Sequence, residues 1–230
     1  MNPELFGIEH ILYIIASTII CGTILIFAKN HCGTEKSQQL VLKALAFALF
    51  VSIILNRLSQ VFRYDTVRWY LIIPDSFCGM TSLVLSLGVL FGKKDNAILH
   101  FTWLLGLFGG ISTVIYATFV GQSASIFYLP TISGLLHHSF SATLVVGLLM
   151  FKQIDITYKK WYCTIFGFTA YLTVGAFLMH TFDLSDAFHI AEPLLSGTNL
   201  TAWVMAPMYL GAYALILLCI ELARKKGLIK

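Results

Sequence analysis

The sequence predicts an all-helical, polytopic membrane protein in which residues 1–230 form a single domain, a bundle of seven transmembrane helices. Of its 230 residues, 58% are hydrophobic and 11% are charged, and the mean hydropathy is +0.83. A soluble domain carries about a quarter charged residues, so this composition excludes that class. The other two observations behind the prediction are apolar runs of spanning length and an uneven distribution of Lys and Arg between those runs.

Seven apolar runs are each close to the roughly 20 residues that a helix needs to cross a bilayer core. They occupy residues 8–28, 39–62, 69–92, 97–120, 129–151, 161–182 and 200–222. The first run is followed by further runs of spanning length, so we expect it to remain as a helix rather than to be cleaved as a signal peptide. The longest connection, residues 183–199, contains Pro and Gly, which disfavour a continuous helix.

Lys and Arg lie mainly on one side of the predicted bundle. With the N-terminus outside, eleven of them fall on the inner side, and only Arg63 and Arg68 fall in outer loops. Because positive residues concentrate on the cytoplasmic side, this bias predicts an outer N-terminus and a cytoplasmic C-terminus. The charges then report topology, so no nucleic-acid partner is expected. The eleven are Lys29, Lys36, Lys93, Lys94, Lys152, Lys159, Lys160, Arg224, Lys225, Lys226 and Lys230.

The cysteines do not form a disulfide or metal-binding pattern. Cys21, Cys32, Cys78, Cys163 and Cys219 fall mostly inside apolar runs and show no CxxC or metal-ligand spacing. We therefore expect neither a disulfide framework nor a metal or other cofactor. A lone cysteine in a membrane helix is most often a small packing residue, so the thiol by itself predicts little.

Polar residues concentrate in the outer half of the predicted bundle. At about 1.5 Å per residue, Cys78 in the third run and His138 in the fifth each lie roughly 13 Å from the outer end of their helix. In the third run Cys78 belongs to a polar stripe at helical spacing, and in the fifth run His138 belongs to a similar one. His137 is rotated from that second stripe by roughly 100°, which favours His138 as the inward-facing histidine. The stripes are Asp75, Cys78, Ser82 and Ser86, and Thr131, Gly134, His138 and Ser141.

Ionisable residues are costly in hydrocarbon and normally face a partner or a cavity, so Asp75 and His138 are functional candidates. Arg57, near the outer end of the second run, either extends toward lipid headgroups or binds phosphate. The glycines and threonines at helical spacing in the fourth run either pack against a neighbouring helix or line a pocket. The remaining supporting candidates at the outer side are Asn56, His137, His180 and Asn199.

Three short motifs resemble the YwaF-type family of bacterial integral membrane proteins. They are FCGM at 77–80, LLHHS at 135–139 and GTN at 197–199. That family also includes an animal membrane protein that acts as a cysteine-dependent acyltransferase in ether-phospholipid synthesis. The resemblance places the family's cysteine on Cys78, its histidine on His138 and its Gly-Thr-Asn on 197–199. Ser76 occupies a position where many bacterial members have a histidine.

The resemblance implies a multi-pass protein of the bacterial plasma membrane whose partners are membrane phospholipids. Its chemistry would be acyl transfer between phospholipid and lysophospholipid, with Cys78 as the nucleophile and His138 as the base. Asp75 would orient a histidine, and Arg57 would hold phosphate. A binding or transport protein without catalysis is the alternative, although inverted repeats are not evident. A metal hydrolase using His10, His137, His138 and His180 with Asp75 ranks third, because the sequence lacks an HExxH pair.

Overall fold

The computed structural model describes residues 6–63, 65–117 and 125–228, and within these ranges the chain consists of helices and loops without a strand. Two short 3₁₀ helices, Trp69–Ile72 and Tyr158–Lys160, precede the third and sixth α-helices. The α-helices are α1 Ile8–His31, α2 Glu35–Val61, α3 Phe77–Leu90, α4 Ala97–Ile115, α5 Leu129–Met150, α6 Tyr162–Phe182 and α7 Ala202–Lys225.

Six of these helices are long and apolar enough to cross a membrane, which confirms the prediction of a helical multi-pass membrane protein. The exception is α3, whose 14 residues extend about 21 Å, less than the roughly 30 Å hydrocarbon core. The prediction of one continuous helix over residues 69–92 is therefore wrong. That run contains a 3₁₀ helix, an extended segment and then α3.

The break before α3 has a local cause in the sequence. Pro74 disfavours helical geometry at the preceding residue, and Ile73 is accordingly extended, with φ −80° and ψ 124°. Ser76 then caps the new helix, because its hydroxyl accepts a hydrogen bond from the backbone N–H of Gly79 at 3.2 Å. Cys78 consequently lies in the first turn of a helix rather than in the middle of one.

Capping residues also determine where α2 and α4 begin. Thr34 and Ser37 form a reciprocal capping box, so α2 begins at Glu35, four residues before its predicted start. Asn96 accepts hydrogen bonds from the N–H groups of Ile98 and Leu99 and so fixes the predicted start of α4. That helix ends at Ile115, and residues 118–120 of the predicted run lie outside the described residues.

The helices alternate in direction, and we name the two ends of the bundle after a residue at each. At the Cys78 end, α1, α3, α5 and α7 begin and α2, α4 and α6 end. His10 bonds to the carbonyl of Val114 there, and Asn56 bonds to the carbonyl of Pro130. At the Asp95 end, Lys94 contacts Glu35 at the start of α2.

Helix α5 is the most buried, and it packs between α2 and α4. Its approach to α4 depends on glycine, because a Cβ added to Gly110 would lie 2.7 Å from the carbonyl oxygen of His138. By contrast, α1 and α7 present large apolar side chains on their outer faces, as a bilayer requires. Examples are Ile19, Phe27, Met208 and Leu215.

Candidate functional site

The Cys78 thiol lies where α3 meets α4. A Cβ added to Gly109 would be 3.1 Å from the sulfur, so a larger residue at 109 would press on the thiol. The hydroxyl of Thr113, one turn further along α4, also interacts with the thiol. Thr113 is buried, whereas Cys78 is partly exposed. The sulfur thus has a polar neighbour on α4.

His138 contacts the same residue of α4 as the thiol does. Its imidazole interacts with the backbone carbonyl of Gly109, and its side chain is buried. An imidazole that donates one N–H to a carbonyl keeps its other nitrogen unprotonated and able to accept a proton. Gly109 is therefore in contact with both the thiol and an imidazole that is a candidate base.

His137 is also buried and belongs to the same polar cluster. Its Nδ1 lies 3.1 Å from the hydroxyl of Ser82, four residues after Cys78 on α3. The His137 and His138 rings have centroids 4.1 Å apart and are tilted by 34°. The expectation that rotation takes His137 away from the inward face is therefore wrong. Since α5 is surrounded by other helices, two faces of it look into the bundle.

Asp75 pairs with Arg57 rather than with a histidine. The Arg57 Nη1 lies 3.1 Å from the Asp75 carboxylate, and the guanidinium also donates to the carbonyls of Leu71 at 2.8 Å and Ile73 at 3.4 Å. Three of the five N–H donors of this arginine are thus used within the protein. The pair fixes the extended segment before α3, and in that way it positions Cys78.

Asn56 performs a similar structural task on α5. Its side-chain amide donates to the carbonyl of Pro130 at 3.0 Å and to the hydroxyl of Ser133 at 3.3 Å. His180 and Asn199 are exposed, and the contacts of the described residues do not bring either to the thiol. In the GTN motif, Gly197 has φ +78° and Thr198 donates to the carbonyl of Leu195, so the motif forms a turn.

The loop 183–199 contributes to the site in a way that sequence reasoning missed. The N–H of Phe188 donates to the carbonyl of Asp75 at 2.7 Å, and its buried ring packs edge-on against Phe77 at 5.4 Å. Phe188 and His189 both have positive φ, a conformation that is uncommon for residues other than glycine. Apolar residues inside this loop, among them Phe188 and Ile190, were the available signal.

The third-ranked alternative, a metal hydrolase, gains no ligand set in the part of the chain that the structure describes. No three His, Cys, Asp or Glu side chains come together there. His10 has both ring nitrogens in hydrogen bonds, one with the carbonyl of Val114 at 2.9 Å and one with the N–H of Phe6 at 3.2 Å.

The Asp95 end carries a network of charges instead of a thiol. The Asp95 carboxylate lies 2.6 Å from His100 Nε2 and also pairs with Lys160, and it accepts a hydrogen bond from the N–H of Asp155 at 2.9 Å. Partial burial acts to raise the pKa of Asp95, but the hydrogen bonds from Lys160, Asp155 and His100 prevail and leave that pKa below its ordinary value. Arg224 extends the network to α7 through Asp155 at 2.6 Å.

Comparisons with protein-family models, with curated proteins and with solved structures give no match for this chain. The resemblance to the YwaF-type family therefore rests on the three short motifs, and the site is interpreted from its own geometry.

Proposed function

We propose that the protein is a membrane-embedded, thiol-dependent acyltransferase that acts on phospholipid and lysophospholipid. The observation that carries the proposal is the shared contact at Gly109, where the Cys78 sulfur and the His138 imidazole meet the same residue. A thiol forms a reactive acyl-thioester, and an adjacent imidazole supplies the base that such a nucleophile requires. The motif resemblance to the YwaF-type family supports the same chemistry.

In the first half-reaction the Cys78 sulfur attacks the ester carbonyl carbon of a phospholipid. The C–S bond forms and the ester C–O bond breaks, while His138 takes the thiol proton and passes it to the departing lysolipid oxygen. The product is an acyl-thioester on Cys78. The thiolate is the attacking species, so the thiol proton has to be removed within the site.

In the second half-reaction a hydroxyl of another lysolipid attacks the thioester carbonyl carbon. His138 accepts the hydroxyl proton as the new ester bond forms, and it returns this proton to the sulfur as the C–S bond breaks. Thr113 is placed to donate to the sulfur during both steps. The acyl group is thereby moved between lipids without an outside reactant.

The partial exposure of Cys78 supports entry of the lipid sideways from the bilayer. We assign this end to the outer leaflet of a bacterial plasma membrane. In this arrangement seven elements cross the bilayer, with the N-terminus outside and the C-terminus in the cytoplasm. The concentration of lysines toward the other end supports this orientation. The α3 element crosses together with the extended segment that precedes it.

The test is lipid acyl transfer by purified protein in mixed phospholipid micelles. Cys78→Ala should abolish transfer and leave the helical circular-dichroism spectrum unchanged, because it removes the covalent route and only one sulfur atom. Cys21→Ala and Cys219→Ala are the matched controls, and both should retain activity. Full activity in Cys78→Ala would contradict the mechanism. A folded wild type that binds lipid but never turns it over would favour the binding or transport alternative.

Orientation has its own test in a cysteine-free background. Lys159→Cys and Asn199→Cys each introduce one exposed thiol, at the Asp95 end and the Cys78 end respectively. A membrane-impermeant maleimide added to intact cells should label position 199 and not position 159. Labelling of position 159 alone would reverse the assignment of the two ends.

A further inference from the structure

A cavity of about 270 Å³ opens at the Asp95 end, away from the thiol. It lies between α2, the loop joining α3 to α4, and the end of α5. Its lining combines three lysines with two amides and several apolar residues, and the polar members are Gln39, Lys43, Lys93, Lys94 and Gln153. The proposed acyl transfer uses none of these residues.

The lysines give this cavity a positive charge that the protein offsets only in part. Lys94 pairs with Glu35 at 3.0 Å. Within residues 6–63, 65–117 and 125–228, no ion pair to a carboxylate involves Lys43 or Lys93. No carboxylate belongs to the cavity lining itself. Two positive charges are therefore available to a ligand.

The position of Lys43 indicates what kind of ligand this is. It follows Glu35 by eight residues, so its Cα lies about 12 Å along α2 from the start of the helix. A lysine at such depth normally reaches toward headgroups or faces an anion. The other lysine, Lys93, follows directly after Gly92, where a Cβ would come within 2.3 Å of the carbonyl of Gly88. The tight turn at Gly92 thus fixes the backbone that carries Lys93.

The remaining lining has the character of a headgroup site. Leu42, Leu99 and Leu148 are buried and form an apolar floor, while the amides of Gln39 and Gln153 lie beside it. A cavity of this size is slightly smaller than the pockets of about 300–1,000 Å³ that hold drug-sized ligands. It therefore accommodates a headgroup and not the acyl chains of a lipid.

We propose that this cavity binds the phosphate of an anionic phospholipid in the leaflet at the Asp95 end. Lys43 and Lys93 contact the phosphate oxygens, the amide of Gln39 donates a further hydrogen bond, and the leucines contact the glycerol backbone. The amide of Gln153 donates to the carbonyl of Phe151 at 3.3 Å and so forms part of the cavity wall. The site is separate from the thiol, and its test measures binding rather than acyl transfer.

Binding is measured by the unfolding midpoint of the purified protein in a neutral detergent, titrated with short-chain phosphatidylglycerol or phosphatidylcholine. The anionic lipid should bind at least about tenfold more tightly than the zwitterionic one, given two lysine contacts near the membrane surface. Lys43→Gln and Lys93→Gln should each weaken the binding of phosphatidylglycerol by about fivefold. The double variant should bind the two lipids with equal affinity.

Two controls match the loss of charge. Lys36→Gln removes a lysine from the same helix and Lys159→Gln removes one from the same end, yet neither residue lines the cavity. Both should bind phosphatidylglycerol as the wild type does. Lys43→Arg and Lys93→Arg keep the charge and should retain binding. Retained binding would show that the glutamine variants lose affinity through the loss of charge and not through misfolding.

Three results would overturn the proposal. One is equal binding of the two lipids by the wild type, and another is a double glutamine variant that still prefers phosphatidylglycerol. A third is tighter binding of inorganic phosphate than of phosphatidylglycerol, which would assign the site to a free anion. Displacement of phosphatidylglycerol only by millimolar inorganic phosphate would support recognition of the lipid phosphate.

Discussion

The two ends of this bundle use polar residues in different ways. At the Asp95 end, charged side chains from loops and helix ends pair with one another, as Asp95 does with Lys160 and Asp155 does with Arg224. At the Cys78 end, a thiol and two histidines lie inside the helices and contact hydroxyls and a backbone carbonyl. Arg57 and Asp75 form an ion pair beside this cluster.

This difference separates a structural network from a reactive one. Charges that are paired at the edge of the membrane connect loops and gain stability from the contact. Ionisable groups in the bundle interior gain little stability there, yet they can exchange protons when a substrate arrives. Substitutions of the thiol and the two histidines should therefore change activity, whereas substitutions of ion-paired residues at either end should change stability.

The largest expected effect is the loss of the base. His138→Ala should lower the rate of acyl transfer by about 10²- to 10⁴-fold, the range found for general acid–base residues. The measurement is initial transfer velocity at saturating lipid. His180→Ala is the matched control, since His180 is exposed at the end of α6, and it should retain nearly full activity.

His137→Ala tests which of the two histidines is the base. His137 bonds to Ser82 and does not share the Gly109 contact, so its loss should lower activity less than the loss of His138. If His137→Ala is the more damaging substitution, the base is His137 and the assignment to His138 is wrong.

Among the ion pairs, Arg57–Asp75 should contribute most to the free energy of unfolding. Arg57→Gln leaves Asp75 without its partner and frees two carbonyls, so we expect a loss of about 3 kcal/mol in the free energy of unfolding. Unfolding in a denaturing-detergent titration provides the value. Asp75→Asn keeps the arginine bonds to Leu71 and Ile73 and should cost less; an equal or greater cost would show that those bonds contribute little.

The network at the Asp95 end should be weaker and should depend on pH. Asp95 is about one-third exposed, so Asp95→Asn should cost about 1–2 kcal/mol of unfolding free energy and leave acyl transfer intact. The folded state lowers the pKa of this carboxyl. Its contribution is therefore complete above about pH 4, where the unfolded carboxyl is ionised, and is lost as the pH falls through the lower folded pKa.

The check is the unfolding midpoint measured between pH 6 and pH 2. Near pH 2 the unfolding midpoint of the wild type should approach that of Asp95→Asn, so that the difference between the two midpoints narrows. A difference that stays constant across this range would show that the carboxylate charge is not the source of the stabilisation.

The smallest effect concerns the hydroxyl beside the thiol. Thr113→Val keeps the side-chain shape and removes the donor, so acyl transfer should fall by about tenfold. Thr102→Val is the matched control on the same helix, because its buried hydroxyl bonds to the carbonyl of Ile98 rather than to the site. An equal loss in both variants would indicate a packing effect.

Hydropathy predicted the helical membrane class and six of the long helices, because a continuous apolar run has few other stable structures in lipid. It did not resolve the run at 69–92, since a hydropathy average treats Pro74 as one residue among many. The cap at Ser76 and the carbonyl bonds of Arg57 decide that helix start, and the second of these joins segments that are separate in the sequence.

The helical stripes predicted that Cys78 and His138 look inward, but they could not predict their partners. Spacing identifies a face of a helix and not the neighbour that the face meets. Thus Asp75 pairs with Arg57, and His137 rather than His138 reaches α3 through Ser82. Gly109 was recognised only as one of several small residues, although its contacts with both the thiol and His138 make it central to the site.

The acyl-thioester on Cys78 is the intermediate that the proposed chemistry requires, and its detection tests the central claim most directly. Purified protein is incubated with phospholipid, digested, and analysed by mass spectrometry with and without hydroxylamine. We predict an acyl mass on the peptide that contains Cys78, removed by hydroxylamine and absent in Cys78→Ala. Active protein without an adduct at Cys78, or with an equal adduct at Cys219, would contradict the assignment of Cys78 as the nucleophile.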